Sequence, residues 1–376
     1  MRPAVSLAEI VRQAGPELER TRPLSREQRA ALCAIVRCRT PALGGHLYGC
    51  PQCGRRHLVW HFCRNRHCPR CQSQASHRWL EQRRREVLPV PYFHVVFTVP
   101  ESLNAFALAD PRTFYDVLFR ATSRTLLDLA ADPRRLGLRI GLIAVLHTWG
   151  QTLTLHPHIH CVVPAAGIAQ ATGRFAVARR RNFFLPVRVL SRYFRRLFLQ
   201  MLGEALRTDD ELRQRTAHLD RAGLFQTARG AEWVVYAKAP FAGPEQVLAY
   251  LARYTHRIAI SEHRILDFDG QTVRFRWKDY RDANRQKQMQ LPASEFLRRF
   301  LLHVLPLRFV RIRHYGILGN RCRAVRLSTA RAQLHVPAVT PTPSAPAPAV
   351  IPCPACGAPL VFIELCRPSP EGIDSS

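Results

Sequence analysis

The sequence predicts an α+β protein in which a small metal-folded module precedes a larger domain of strands and helices. Three observations lead there. A block from Cys33 to Cys71 is short, turn-rich and crowded with cysteines and histidines. Pro89 and Pro91 stop any helix that begins in the charged run before them, which marks a boundary near residue 89. Beyond it, up to Arg326, apolar stretches of strand composition alternate with longer segments of helical period. The chain therefore divides into 1–89, 90–326 and 327–376.

In order along the chain, residues 1–30 carry an amphipathic helical pattern, with Ile10, Val11 and Leu18 set between polar residues. After the cysteine block and the charged run Trp79–Glu86, the apolar stretch Tyr92–Val99 reads as a strand. A helical pattern covers 111–131, and IGLIAVLHTWG and LHPHIHCVVP read as strands. Ser191–Ala217 is predicted helical, Trp233–Ala239 extended, Pro244–Thr255 helical, Thr272–Lys278 extended and Ala293–His303 helical. After Arg326 the Pro/Ala-rich run VPAVTPTPSAPAPAVIPCP reads as a semi-extended linker. Cys353-Pro-Ala-Cys356-Gly357 beyond it resembles half of a zinc ribbon. Only Cys366 follows it and Cys322 lies across the linker, so no complete site is assigned there.

Charge points to the partner. Against 27 acidic residues stand 56 Lys+Arg, a net +29. Such an excess repels itself unless a polyanion neutralises it, and phosphate backbones are the commonest polyanion a soluble protein meets, so nucleic acid is the expected partner. No run of 18 or more apolar residues is present and the first 25 residues are unlike a signal peptide, so no membrane is expected and a cytoplasmic protein, on the nucleoid when DNA-bound, is. In that reducing compartment the 12 cysteines read as metal ligands before disulfides.

Cys50-Pro-Gln-Cys53 and Cys68-Pro-Arg-Cys71 form two Cys-x-x-Cys knuckles, a spacing that lets four thiolates converge on one Zn²⁺. Cys38, His46, Cys63 and His67 suggest a second, interleaved site; His57 competes as a ligand, and any of these can instead pack against the knuckles. Arg55, Arg56, Arg64, Arg66 and Arg70 give the module a cationic surface suited to phosphate oxygens.

His158 and His160 stand two apart on a predicted strand, so both imidazoles share one face, a pairing that suits a divalent metal, as it would suit two hydrogen-bonded core histidines. His156 shares their parity, but Pro157 disturbs regular strand geometry there. Tyr250 and Tyr254 lie at i and i+4 on a predicted helix that starts at Pro244, with Arg253, His256 and Arg257 beside them. Such a pair is often packing. Beside a metal it gains a chemical use, because a phenolate can attack a phosphodiester and the aryl ester formed keeps the energy to rejoin DNA.

These residues resemble the IS91-like transposases of the HUH nuclease superfamily. The resemblance runs from ALGGHLYGCPQCG and CRNRHCPRCQ through HVVFTVP, LHPHIHCVV and YLARYTHRIAIS to FRWKDYRD and FVRIRHYGILGNR, about residues 25–325. His158-Ile159-His160 is similar to the family's histidine–hydrophobic–histidine motif, and Tyr250 and Tyr254 to its two-tyrosine motif. The resemblance implies a central antiparallel sheet flanked by helices. It also implies Mg²⁺ or Mn²⁺ on the histidines apart from structural Zn²⁺, nicking of single-stranded DNA through a 5′-phosphotyrosine, and rolling-circle transposition. A third metal ligand is expected but not identified, with His94 on the preceding strand open to several roles. Replication initiators and relaxases share this chemistry, and a zinc-finger regulator without enzymatic activity would use the same residues only for packing.

Overall fold

The computed structural model describes residues 5–84, 86–178, 184–238, 246–247, 250, 255, 257–336 and 351–369, excepting the side chains of residues 73–75. The chain forms two compact units, each assembled from separated stretches. One takes Met1–Ala75, Ile260–Val304 and Val339–Ser376, the other Ser76–Ala259 and Leu305–Ala338. This differs from the linear division at residues 89 and 326. Long-range pairing returns residues 260–304 and the C-terminal stretch to the N-terminal unit, and composition along the chain carries no trace of such returns.

Helices α1 (Leu7–Thr21) and α2 (Arg26–Arg37) open the first unit. Ser6 Oγ accepts the N–H of Glu9 and Ser25 Oγ that of Gln28, both at 3.2 Å, while Ser25 N donates to Gln28 Oε1 at 2.9 Å. That second pair is a capping box, so the single amphipathic pattern expected over 1–30 is split into two helices at Ser25. Leu7, Ile10, Val11 and Leu18 are the buried stripe of α1. Strands β1 (Gly45–Gly49) and β2 (Arg56–Trp60) then form a hairpin with Gly45 opposite Trp60 and Gly49 opposite Arg56, and α3 (Pro69–Arg84) follows.

The second unit is built from β3 (Tyr92–Thr98), α4 (Asn104–Ala109), α5 (Pro111–Ala131), β4 (Leu138–Trp149), β5 (Leu155–Pro164), β6 (Ala166–Ala169), β7 (Phe175–Val177), α6 (Val187–Thr208), α7 (Asp210–Arg215), α8 (Arg221–Gly230) and β8 (Val235–Lys238). The helix expected over Ser191–Ala217 breaks at Asp209, whose carboxylate accepts the N–H of Leu212 at 3.0 Å and so starts α7. Farther on, β9 (Ile265–Phe268), β10 (Thr272–Asp279), β11 (Arg285–Pro292) and α9 (Ala293–Leu301) belong to the first unit. Strand β12 (Ile312–Gly316) and α10 (Arg323–Gln333) complete the second, and β13 (Val361–Cys366) completes the first. Of the helix expected at Pro244–Thr255, most lies outside the described residues.

Among the described residues the second unit's sheet orders its strands β7-β6-β4-β5-β3-β8, with β12 added on β4, all antiparallel. Period-2 alternation sorts its side chains. Phe93, Val95, Phe97, Leu142, Ala144, Leu146, Ile159, Cys161 and Val163 join Phe114, Leu118, Phe194 and Phe198 of α5 and α6 in the larger core. The opposite face sends Tyr92, Ile143, Val145 and Val162 into a second core with Val247, Tyr250, Leu327 and Ala330. Each fully buried large side chain contributes about 1.5–3 kcal/mol, and a one-residue register slip of β5 would turn His158 and His160 into the larger apolar core. The unit is thus an antiparallel sheet flanked by helices, as the sequence predicts. Among the described residues no helix is long and apolar enough to cross a membrane.

Candidate active site and metal centres

The sheet's second face carries the histidines. On β5, His158 and His160 point to it together with Val162; the antiparallel register sets His147 of β4 opposite His158, and Val96 of β3 and Val145 of β4 opposite His160. The metal-ligand nitrogens of His147, His158 and His160 all lie within 4.8 Å of one another. The strand pair expected from the sequence is therefore together, and His147 joins it as a third donor. The sequence reading missed His147, although its signal was present. It follows Ile143 and Val145 at the same parity of an otherwise apolar strand, where an inward histidine needs a polar partner. His156, on an exposed position of β5, gives its backbone oxygen to His158 Nδ1 at 2.6 Å, so His158 donates through Nδ1 and presents Nε2.

Burial makes the imidazoles of His158 and His160 neutral. It pushes His158 down to about 3, and it holds His160 well below the ordinary range with help from its neighbours His147 and His158. A neutral imidazole keeps the lone pair that a metal requires.

Tyr250 is buried, 9% exposed, among the side chains of this same face. Its hydroxyl is hydrogen-bonded to His94 Nε2 and lies 3.4 Å from His160 Nδ1; His94 Nε2 and His160 Nδ1 are 2.9 Å apart. His94, lowered to about 4 by burial and by Lys238, thus has a definite place as the link between the tyrosine and the histidine cluster, and it is not among the three clustered donors. Arg257 is half-buried, and its carbonyl accepts from Arg311 Nη1 at 3.1 Å. Tyr254 and Arg253 lie outside the described residues.

The cysteines assemble differently from the expected grouping. Cys50 and Cys53 do not meet Cys68 and Cys71. Instead Cys68 and Cys71 join Cys38 and Cys63, with Sγ atoms of Cys38 and Cys63 at 3.6 and 3.5 Å from that of Cys71. Cys50 and Cys53 join Cys353 and Cys356. The β1–β2 hairpin is the reason. Its turn carries Cys50 and Cys53, whereas Cys38 and Cys63 flank its open end, where Arg39 N donates to His61 O at 3.0 Å. Strands of this length separate the two ends by about 14 Å at ~3.4 Å per residue, too far for one ion. The expected Cys₂His₂ set dissolves accordingly. His46 packs against the rings of His61 and Phe362, with centroids 4.8 and 5.5 Å away, and His67 is half-buried, its backbone N donating to Asn65 Oδ1 at 2.9 Å. A zinc ion with Zn–S near 2.3 Å spaces its sulfurs by about 3.8 Å, so the Cys38 cluster has the dimensions and donor set of a closed zinc site.

Of the arginines expected at DNA, Arg55, Arg56 and Arg64 are exposed. Arg66 is half-buried, its basicity lowered by that burial. Arg70 is drawn into the unit by an ion pair with Glu262 at 3.1 Å.

Comparison with known proteins completes the picture. A family model described as "Putative transposase" matches residues 141–326, which include the three clustered histidines and Tyr250, and one described as "Transposase zinc-binding domain" matches residues 10–99. A protein of Sinorhizobium fredii that carries the first of these descriptions with the designation y4qJ is 53% identical over 85% of this chain and 81% of its own length. The transposase for insertion sequence element IS801 of Pseudomonas savastanoi pv. phaseolicola is 28% identical over 82% of this chain and 74% of its own. A transposase must bind and cut DNA, in keeping with the basic charge, and the zinc-binding match and the cysteine clusters together support structural zinc. With the Sinorhizobium fredii relative and both family models in agreement, the chain belongs to the IS91-like family of transposases.

Proposed function

We propose that this transposase cuts single-stranded DNA by attack of the Tyr250 hydroxyl on a phosphodiester, beside a divalent ion held by His147, His158 and His160. The observation that carries the reading is the buried Tyr250 hydroxyl, hydrogen-bonded to His94 and 3.4 Å from His160 on the face that holds the histidine cluster. Imidazoles of His147, His158 and His160 from adjacent strands would hold a divalent ion, and they suit Mn²⁺ better than the harder Mg²⁺. Such an ion supplies charge neutralisation of a nonbridging phosphate oxygen.

The chain's own groups do the rest. A neutral His94 Nε2 accepts the Tyr250 O–H and so aims the phenolic oxygen; with its proton affinity lowered by burial it orients the hydroxyl rather than deprotonating it. As the bond from Oη to phosphorus forms, the phenolic proton is lost to solvent, the bond from phosphorus to the 3′ oxygen breaks, and that oxygen takes up a proton. The product is a 5′-phosphotyrosine and a free 3′-hydroxyl end, which can later attack the ester to rejoin DNA. Tyr254, one helical turn on in sequence, is the second nucleophile that a rolling-circle cycle needs. Exposed Arg55, Arg56 and Arg64 contact phosphates, and zinc on Cys38, Cys63, Cys68 and Cys71 holds the module that carries them.

The test uses a single-stranded substrate carrying an element end, incubated with Mn²⁺ and then denatured. A protein–DNA adduct whose peptide maps to Tyr250 or Tyr254 is expected. Two free DNA ends without adduct would show a metal-activated water as nucleophile and overturn the reading.

A further inference from the structure

The C-terminal knuckle, 300 residues from its partner, is half of a metal site. We propose that Cys50, Cys53, Cys353 and Cys356 bind a second structural Zn²⁺, so that the β1–β2 turn and the segment before β13 are joined through one ion. The four Sγ atoms lie within 4.8 Å of one another, with Cys50 to Cys356 at 3.5 Å and Cys53 to Cys353 at 3.7 Å. Those spacings approach the ~3.8 Å edge of a ZnS₄ tetrahedron and are far from the ~2.05 Å of a disulfide bond.

The two halves repeat one local design. Both read Cys-Pro-x-Cys-Gly. In the first, Gly54 N donates to Cys50 O at 2.9 Å and Cys50 N to Arg55 O at 2.9 Å; in the second, Gly357 N donates to Cys353 O at 2.8 Å and Cys353 N to Ala358 O at 2.8 Å. Gly54 and Gly357 both take left-handed backbone, φ +71° and +77°, which the tight turn requires and a side chain resists. Such a turn directs both cysteines of a knuckle to one side, and two knuckles facing each other complete a tetrahedron. The surroundings supply what a metal–thiolate cluster needs. His57 Nε2 lies 3.4 Å from Cys353 Sγ, placed to donate a hydrogen bond to a charged sulfur, and β13 pairs with β1 from Gly45↔Cys366 to Gly49↔Val361, bringing the second knuckle to the first. Four thiolates with no fifth ligand make a closed site, which stabilises the fold and does no chemistry. The sequence match to a zinc-binding domain stops at residue 99 and so holds only half of this ligand set.

Elemental analysis of the full chain, purified under reducing conditions, should find two zinc ions per molecule. Cys353→Ser/Cys356→Ser should hold one, and Cys50→Ser/Cys53→Ser should also hold one. A Cys353→Ser/Cys356→Ser protein that keeps the wild-type zinc content would overturn the proposal, as would iron in place of the second zinc. A second measurement needs no variant. Cys53 and Cys356 are solvent-exposed, so as free thiols they would be alkylated at once. In the wild-type protein both should resist alkylation until a chelator is added, and rapid modification of Cys356 before chelation would refute the site even if the variants fail to fold.

Discussion

Replacing Tyr250 with Phe separates chemistry from packing, because the ring stays and only the hydroxyl leaves. The ring is 9% exposed and packs with Val247, Ile143 and Val162, contacts that Phe preserves. What is lost is the bond to His94 Nε2 and the weaker approach to His160. His94 keeps its partner at 2.9 Å in His160, so no buried acceptor is orphaned, and the cost stays near that of one ordinary hydrogen bond, about 1 kcal/mol. For a unit of this size that lowers the melting temperature by about 2–4 °C. Attack on phosphorus, by contrast, loses its oxygen altogether. Tyr250→Phe should therefore melt almost as the wild type does, retain zinc and DNA binding, and form no adduct at the position that Tyr250 occupies. The assay pairs calorimetry with gel detection of denaturation-resistant adduct and peptide mapping. Wild-type adduct yield from Tyr250→Phe, mapped to Tyr254 alone, would show that the described hydroxyl is structural and that the mechanism proposed for it is wrong.

Other predictions follow from the same geometry. His147→Ala removes one of three clustered donors, so Mn²⁺-dependent cleavage should fall at least 10–100-fold at fixed metal concentration, with zinc content unchanged; full activity would return the site to two histidines. His94 has a folded value of about 4 against ~6.5 unfolded, so between pH 6.5 and 4 the unfolded chain takes up a proton that the folded chain does not. Stability should then fall with acidification across that window, by up to roughly 3 kcal/mol from this residue, and His94→Asn should flatten the slope of melting temperature against pH in buffer free of added Mn²⁺. Equal slopes for both proteins would remove His94 as the cause. Exposed Arg55 and Arg56 each neutralise one phosphate in the proposed DNA contact. Alanine at both should reduce the salt dependence of single-strand binding by about 1.4 in log–log slope, and an unchanged slope would place the contact elsewhere.

Much of this protein was legible in one dimension because the signals are local. The strand at Tyr92–Thr98, the helix at Pro111–Ala131 and the two histidine-bearing strands follow from apolar period and caps within a few residues. Period 2 alone sets His158 and His160 on one face of a strand, and +29 of charge names a polyanionic partner whatever the fold. What tertiary structure decided was every pairing between distant residues. His147 became a third donor only when antiparallel register set it opposite His158, and His94 became the partner of Tyr250 only when β3 was laid beside β5. The cysteines show the reason most plainly. Spacing identifies a knuckle, since two thiolates and a turn lie within one segment, but a knuckle is half a site and any other half in the chain is chemically equivalent. The length of the β1–β2 hairpin keeps Cys50 and Cys53 from the nearer pair, and the β1–β13 ladder brings them the farther one, so the partner was chosen by distance through space, for which separation in sequence is no guide.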